Sequence, residues 1–237
     1  MGRRLWRTGV GTIVSLSPCP LVSLSPMGRR LWRAGVGMMV LPLAAGLVLI
    51  VTLALGWNSP RPTRPPDWQP PGLPFHLIAA SHRTTVTLLG HPSSDFTWEG
   101  EAIPLSGPDL NGYGLIYRAQ DVAHYDVFAV GSDGYYAVLR VAGDGEVPLV
   151  DWQQFPHLRR GRQTNRLRVS CTGSRVYSPA SRVYSPAPTC RFYVNDEMAA
   201  TLQAGTWLSG DVGLWVRNFN GEDVAVQFTN LYVWAEK

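Results

Sequence analysis

The chain has few of the residues that usually mark a catalytic or metal centre. Its five histidines, His76, His82, His91, His124 and His157, stand in no metal-ligand spacing with a cysteine or a carboxylate, which argues against zinc. No Gly-x-Ser-x-Gly lies at a strand-to-helix turn and no Gly-rich loop opens a helix, so neither a nucleophile elbow nor a phosphate cradle is supported. No segment carries a convincing amphipathic helical period. There are only three cysteines. The overall charge of +4 is also absent from most of the chain: from Phe75 onward there are thirteen Arg or Lys against sixteen Asp or Glu. The excess sits upstream, in Arg3, Arg4, Arg7, Arg29, Arg30, Arg33, Arg61 and Arg64. A basic head before an apolar segment is a topology signal and not a phosphate-binding surface, so no nucleic-acid partner is expected.

What is present falls into four parts: a basic tail (1–33), an apolar stretch (34–57), a Pro-rich linker (58–74) and a folded domain (75–237). Residues 34–57, AGVGMMVLPLAAGLVLIVTLALGW, contain no charge. At 1.5 Å per residue they are long enough to cross a hydrocarbon core of roughly 30 Å, which predicts one transmembrane signal anchor in contact with the lipid bilayer. Six arginines precede it, so the N-terminus is expected in the cytoplasm and the rest outside the cell membrane. A cleaved signal peptide is the rival, since Ala54-Leu55-Gly56 offers small residues at a suitable place. MGRRLWRTGVG at Met1 returns as MGRRLWRAGVG at Met27, a tandem duplication that leaves either methionine a possible start. The linker has seven prolines in seventeen residues and is expected to be a semi-rigid extracellular spacer.

The folded domain is organised around Asn111 to Trp152, four runs in which apolar residues recur every second position. Examples are Leu115/Tyr117, Val127/Ala129, Ala137/Leu139/Val141 and Val147/Leu149. The breaks at Gln120-Asp121, Gly131-Ser132-Asp133-Gly134 and Ala142-Gly143-Asp144-Gly145 have hairpin composition, so the runs read as an antiparallel meander with one buried face. Further strands are expected at 84–89, 95–103, 165–171, 190–195, 198–203, 211–219 and 224–235. Roughly eleven strands and no helix predict an all-β, two-sheet sandwich, with the last strand long enough to pair with an early one.

Between Cys171 and Cys190 the heptapeptide SRVYSPA occurs twice in succession, from Ser174 and from Ser181. Without it the cysteines would flank a short hairpin turn. The insertion reads as slippage at a loop tip, where added length costs only about 0.6 kcal/mol per doubling. In an oxidising compartment, cysteines at the shoulders of paired strands predict a Cys171–Cys190 disulfide.

The succession NGYGLIYR, DVAHYDVFAV, DGYYAVLRV, PLVDW, NRLRV, FYVND, GDVGLWV and VQFTNLYV resembles the concanavalin A-like lectin/glucanase superfamily. Within it the likeness is to laminin-G-like and keto-disaccharide-hydrolase-like jelly rolls of bacterial exported and membrane-anchored proteins, over about residues 95–234. The resemblance implies a jelly roll of two curved antiparallel sheets whose concave face often binds carbohydrate. It does not transfer an activity.

A glycosidase needs two carboxylates flanking the scissile bond. The E-x-D-x-x-E strand pattern of the glucanases is missing, but Glu99 and Glu101 fall two apart and share a strand face. They are the catalytic candidates, with Arg118 and Asp126 as companions if their strands are neighbours. Solvated surface is the alternative for all four. Calcium could be held by Asp133 or Asp144, although turn formation explains both. For sugar binding the available rings are Tyr113, Tyr136, Trp152, Trp207, Trp215, Tyr232 and Trp234, most of them needed for the core. If Leu214 and Val216 face inward, Trp215 and Arg217 point out together beside Asn218, the preferred platform. Tyr136 and Arg140 form a similar pair. The cluster Arg159, Arg160, Arg162, Arg166 and Arg168 reads as an exposed connection. The sequence thus predicts a membrane-anchored, non-catalytic module for glycan or cell-envelope material. A hydrolase using Glu99/Glu101 and a protein-interaction ectodomain are the alternatives.

Overall fold

The computed structural model describes residues 46–47, 62–143, 145–173, 188–203 and 205–236. Gly46 and Leu47 are helical; the rest of the expected membrane span, the duplicated start and the repeated heptapeptides lie outside the described residues. Among the described residues no helix is long and apolar enough to cross a membrane.

Twelve strands are described: β1 Phe75–Ala79, β2 Thr84–Leu88, β3 Phe96–Ser106, β4 Asn111–Asp121, β5 His124–Val130, β6 Tyr135–Ala142, β7 Gly145–Gln154, β8 Asn165–Thr172, β9 Thr189–Val194, β10 Glu197–Gln203, β11 Asp211–Asn218 and β12 Val224–Ala235. They form two six-stranded antiparallel sheets. The first has the order β1-β12-β3-β8-β9-β10 and the second β2-β11-β4-β5-β6-β7. The expected meander is the uninterrupted run β4-β5-β6-β7, and β12 pairs with the early strands β1 and β3. The sandwich follows from alternation: Phe96, Trp98, Leu115, Phe128, Val169, Phe192, Leu214 and Phe228 all reach the space between the sheets and are at most 0% exposed. At about 25 cal/mol per Å² of apolar surface removed from water, this layer is the main stabilising element.

Two expectations are corrected here. The meander does not have one buried face: along β4 and β5 nearly every residue is buried. The alternate positions Ile116, Tyr125, Val127, Ala129, Leu139 and Trp215 form a second apolar cluster on the far side of the second sheet. The Pro-rich linker also does not stand free over its described part, 62–74. Trp68 pairs with Val233 in an antiparallel bridge and stacks on His91 at 4.4 Å, and the Trp234 Nε1–H donates to the Arg64 carbonyl at 2.9 Å. The described linker is therefore part of the first sheet's periphery.

The disulfide joins Cys171 to Cys190, residues directly opposite each other across β8 and β9 with Cα atoms 4.1 Å apart. Both are buried, so the covalent link closes the hairpin on the core side.

Candidate functional site

Glu99 and Glu101 project from the same face of β3, the outer face of the first sheet, because Trp98, Gly100 and Ala102 occupy the inward positions. Across the register, Tyr232, Glu99, Arg168 and Tyr193 form one row through β12, β3, β8 and β9. The Arg168 Nη1 lies 3.5 Å from Glu99 Oε2 and 3.8 Å from Asp196 Oδ1, and its guanidinium covers the Tyr193 ring at 4.4 Å. Glu101 accepts a hydrogen bond from Asn230 Nδ2 at 2.8 Å. Arg166 and Arg168 thus belong to β8 and serve Asp196 and Glu99, a correction to their reading as an exposed connection. Only Arg159, Arg160 and Arg162 remain in the exposed loop.

Arg118 and Asp126 do not join the two glutamates. They belong to β4 and β5 of the other sheet and lie at one end of the sandwich interior with Tyr117 and Arg140. Arg140 donates from Nε to Asp126 Oδ1 at 2.7 Å and from Nη2 to Oδ2 at 2.8 Å, the bidentate geometry that a planar guanidinium favours. That hydrogen bond holds the Arg140 guanidinium more strongly protonated than usual, and burial lowers the affinity of Arg118 for its proton. Arg118 stands in a left-handed conformation (φ 54°) where the β4–β5 register slips, which turns its side chain out of the regular alternation. Burial raises the Tyr117 hydroxyl well above the ordinary tyrosine range, and Asp126 adds to the effect.

The platform pairs also need correction. Tyr136 and Arg140 do share a face of β6, but it is the interior face: Tyr136 is 4% exposed and its hydroxyl donates to the Ala199 carbonyl at 2.7 Å. Trp215 and Arg217 share the far face of the second sheet, with Leu214 and Val216 inward, yet Trp215 is only 1% exposed. Its ring lies over Gly112, where a Cβ would come within 2.7 Å of Cζ3. Asn218 is buried and donates to the carbonyls of Ala79 and Glu222. None of these offers an open ring to a ligand.

Open rings occur next to them. A cleft of about 300 Å³ is lined by Leu110, Asn111, Asp133, Tyr135, Trp152 and Phe219. Trp152 and Phe219 meet edge to face with centroids 6.0 Å apart, and Arg217 lies over the Phe219 ring at 5.1 Å while its Nη1 pairs with Glu146 at 2.5 Å. Tyr135 is 39% exposed. Adjacent residues of a strand face opposite ways, so one of Tyr135 and Tyr136 had to point outward; the structure selects Tyr135. Phe219 follows the last residue of β11, where alternation gives no guidance. Asn111 braces the cleft: its Oδ1 accepts from the Ser132 N–H and hydroxyl, and its Nδ2 donates to the Pro108 carbonyl. Asp133 accepts from the Tyr135 N–H at 3.2 Å, which occupies one of the several acceptor positions of a carboxylate. Flat apolar rings beside an acceptor match the two faces of a sugar, C–H groups on one side and hydroxyls at the edge.

Among the described residues no group of three or more His, Cys, Asp or Glu is placed to hold a metal ion. Asp133 shapes the β5–β6 turn, and Asp144 lies outside the described residues.

No protein family matches this sequence, and no curated protein matches it. Solved structures do match in shape. The fold is similar to that of a carbohydrate-binding module. That module, CBM66 from Bacillus subtilis, aligns with a TM-score of 0.52 at 14% identity, over 67% of this chain and 86% of the module. A functionally unknown protein from Saccharomyces cerevisiae aligns with a TM-score of 0.49 at 13% identity, over 71% of this chain and 94% of its own. A putative glycosyl hydrolase from Parabacteroides distasonis gives 0.44 at 11% identity, over 68% and 87%. At 14% identity what CBM66 shares with this chain is the fold, a jelly-roll sandwich.

Proposed function

We propose that the chain is a non-catalytic binding module for glycan or cell-envelope material, held at the outer face of the cell membrane by residues 34–57. The observation that carries the binding role is the open cleft of Trp152, Phe219 and Tyr135 with Asp133 at its side. A sugar ring stacks on Trp152 with Phe219 standing at its edge, and Asp133 accepts from its hydroxyls. The likeness of fold to a carbohydrate-binding module agrees with this reading. The Glu99/Glu101 alternative gains nothing from the geometry, because Glu99 faces Arg168 and Glu101 is held by Asn230. The uncharged stretch 34–57 behind six arginines supports the anchor.

The test is a glycan array probed with the detergent-solubilised full chain, beside Trp152→Ala and Glu101→Gln, with the ligand assayed afterwards for breakdown. Retention of an intact glycan by the parent and by Glu101→Gln, with at least a tenfold loss in Trp152→Ala and an unchanged circular dichroism spectrum, is expected. Retention that survives Trp152→Ala, or a glycan cleaved by the parent and spared by Glu101→Gln, would overturn the proposal. Externally added protease should reach the sandwich on intact expressing cells; protection until lysis would refute the orientation.

A further inference from the structure

A second concavity lies on the other sheet. It has a volume of about 430 Å³, within the roughly 300–1,000 Å³ typical of small-molecule sites. Its floor is the outer face of the first sheet where β3, β8 and β9 run side by side, and residues 62–64 form one wall. In contrast to the aromatic cleft it is lined by hydroxyls and charge. Thr97, Ser170 and Thr172 face it, with Tyr193, Arg191 and Glu236 around them. The Thr97 hydroxyl lies 3.0 Å from both Ser170 Oγ and Glu236 Oε1, so three polar groups are already connected and can reorient toward a ligand.

The two arginines at this groove differ. Arg64 is committed, pairing with Asp67 at 3.0 Å and donating to the Ala235 carbonyl. Arg191 is exposed, and no described residue forms an ion pair with it. Its place is dictated by β9: Cys190 and Phe192 on either side enter the core, so the guanidinium must stand on the groove face, between Ser170 and Thr201 in the register. A planar guanidinium fork beside a row of hydroxyls complements a carboxylate borne on a polyhydroxylated ring. Glu236 sets the charge limit. With, among the described residues, one arginine outside any ion pair and one carboxylate, the groove suits a ligand with a single negative charge per unit and disfavours a densely sulfated one.

We infer that this groove is a second saccharide site, specific for a carboxylate-bearing sugar of the hexuronate class, with Arg191 as its anion anchor and the Thr97–Ser170–Glu236 chain as its hydroxyl partner. The site does not depend on the aromatic cleft, which belongs to the other sheet and supplies no residue to it.

Isothermal titration of the full chain with tetragalacturonate tests this. Comparators are the same oligosaccharide with its carboxylates reduced to alcohols, and a sulfated neutral oligosaccharide of equal length. Tetragalacturonate is expected to bind, with at least a tenfold loss on carboxyl reduction, at least a tenfold loss in Arg191→Ala, partial recovery in Arg191→Lys and no change in Trp152→Ala. Arg191 is exposed, so its replacement leaves the fold intact. Absence of binding, equal binding by Arg191→Ala, or preference for the reduced or sulfated sugar would each overturn the proposal. Loss of tetragalacturonate binding in Trp152→Ala would overturn it too, by placing the acidic sugar in the cleft, and would leave the cleft reading standing.

Discussion

Arg140 grips both oxygens of Asp126 from the neighbouring strand, and the Asp126 side chain is only 3% exposed. Arg118 and the Tyr117 ring share the same end of the sandwich, where Asp126, with Asp95 adding to it, offsets the charge of Arg118. Asp126→Asn removes the negative charge and leaves two guanidiniums near each other. Breaking one side of a buried pair costs about 3–5 kcal/mol, and a fall of that size in unfolding free energy by urea titration is expected. The paired replacement Asp126→Leu/Arg140→Met should recover most of it. A single variant as stable as the parent would show that Asp126 is not needed to balance the cluster.

Tyr113, Tyr117, Tyr125 and Tyr136 all have hydroxyls raised above their ordinary value, in each case chiefly by burial. The sign follows from proton binding: at high pH the unfolded chain, with tyrosine pKa near 10, has lost protons that the folded chain keeps. Their contribution to stability is complete below about pH 10 and declines as pH rises beyond it. In an alkaline titration, the tyrosinate absorbance of these four should appear together with the loss of β-sheet circular dichroism. Full ionisation with the sheet signal intact would contradict their burial.

Cys171 and Cys190 are 19 residues apart, and their link restricts the unfolded chain over the whole of that loop. The chain-entropy relation gives about 3 kcal/mol for a loop of this size, so the Cys171→Ala/Cys190→Ala variant should melt clearly below the parent. Because the aromatic cleft belongs to the other sheet, sugar retention there below the lowered melting temperature should be unchanged, whereas the Arg191 groove lies on the opposite face of this same hairpin. A variant that melts with the parent would mean that β-ladder pairing alone holds this hairpin.

Gly114 has a partner that cannot move aside: a Cβ there would come within 2.0 Å of the Phe128 carbonyl oxygen. Gly114→Ala must therefore open the β4–β5 ladder in the middle of the second sheet. A loss larger than that of a typical substitution, above about 3 kcal/mol, is expected by thermal unfolding. Gly143→Ala is the control, since no atom lies within 4 Å of the added carbon there, although its φ of 62° adds a small backbone cost.

Period and punctuation carried the reading of the fold a long way. The meander, the inward set Leu214/Val216 and the disulfide all follow from local pattern, because a strand's alternation is a property of its own residues. β1 escaped because it is five residues long, and Leu77 and Ala79 are its only buried pair. Sheet membership was not legible for a different reason. Nothing within β3 or β4 records that their neighbours lie in different sheets, so Glu99 and Arg118 were candidates for one site although the sandwich separates them. The placement of Trp215 failed at one further step. Alternation gives the face a residue occupies, but its burial depends on what adjacent strands put there, and here that is Ile116, Tyr125 and Val127. The cleft combines residues 110–111, 133–135, 152 and 219, contributions far apart in the chain that only the folded sheet order brings together.

The bridge between Trp68 and Val233 gives the domain a direction. The chain arrives alongside the last residues of its own final strand, so Arg64 and Ala235 emerge at one pole, next to Phe96 and Cys171. The eleven residues of β3 then carry the chain about 35 Å to the opposite pole, where Leu110 and Asn111 begin the aromatic cleft. The Arg191 groove, built around residues 62–64, therefore lies at the pole where the described chain enters, and the aromatic cleft at the opposite one. The same adjacency means that a reporter fused beyond Ala235 would stand at the groove's pole and leave the pole of the aromatic cleft unobstructed.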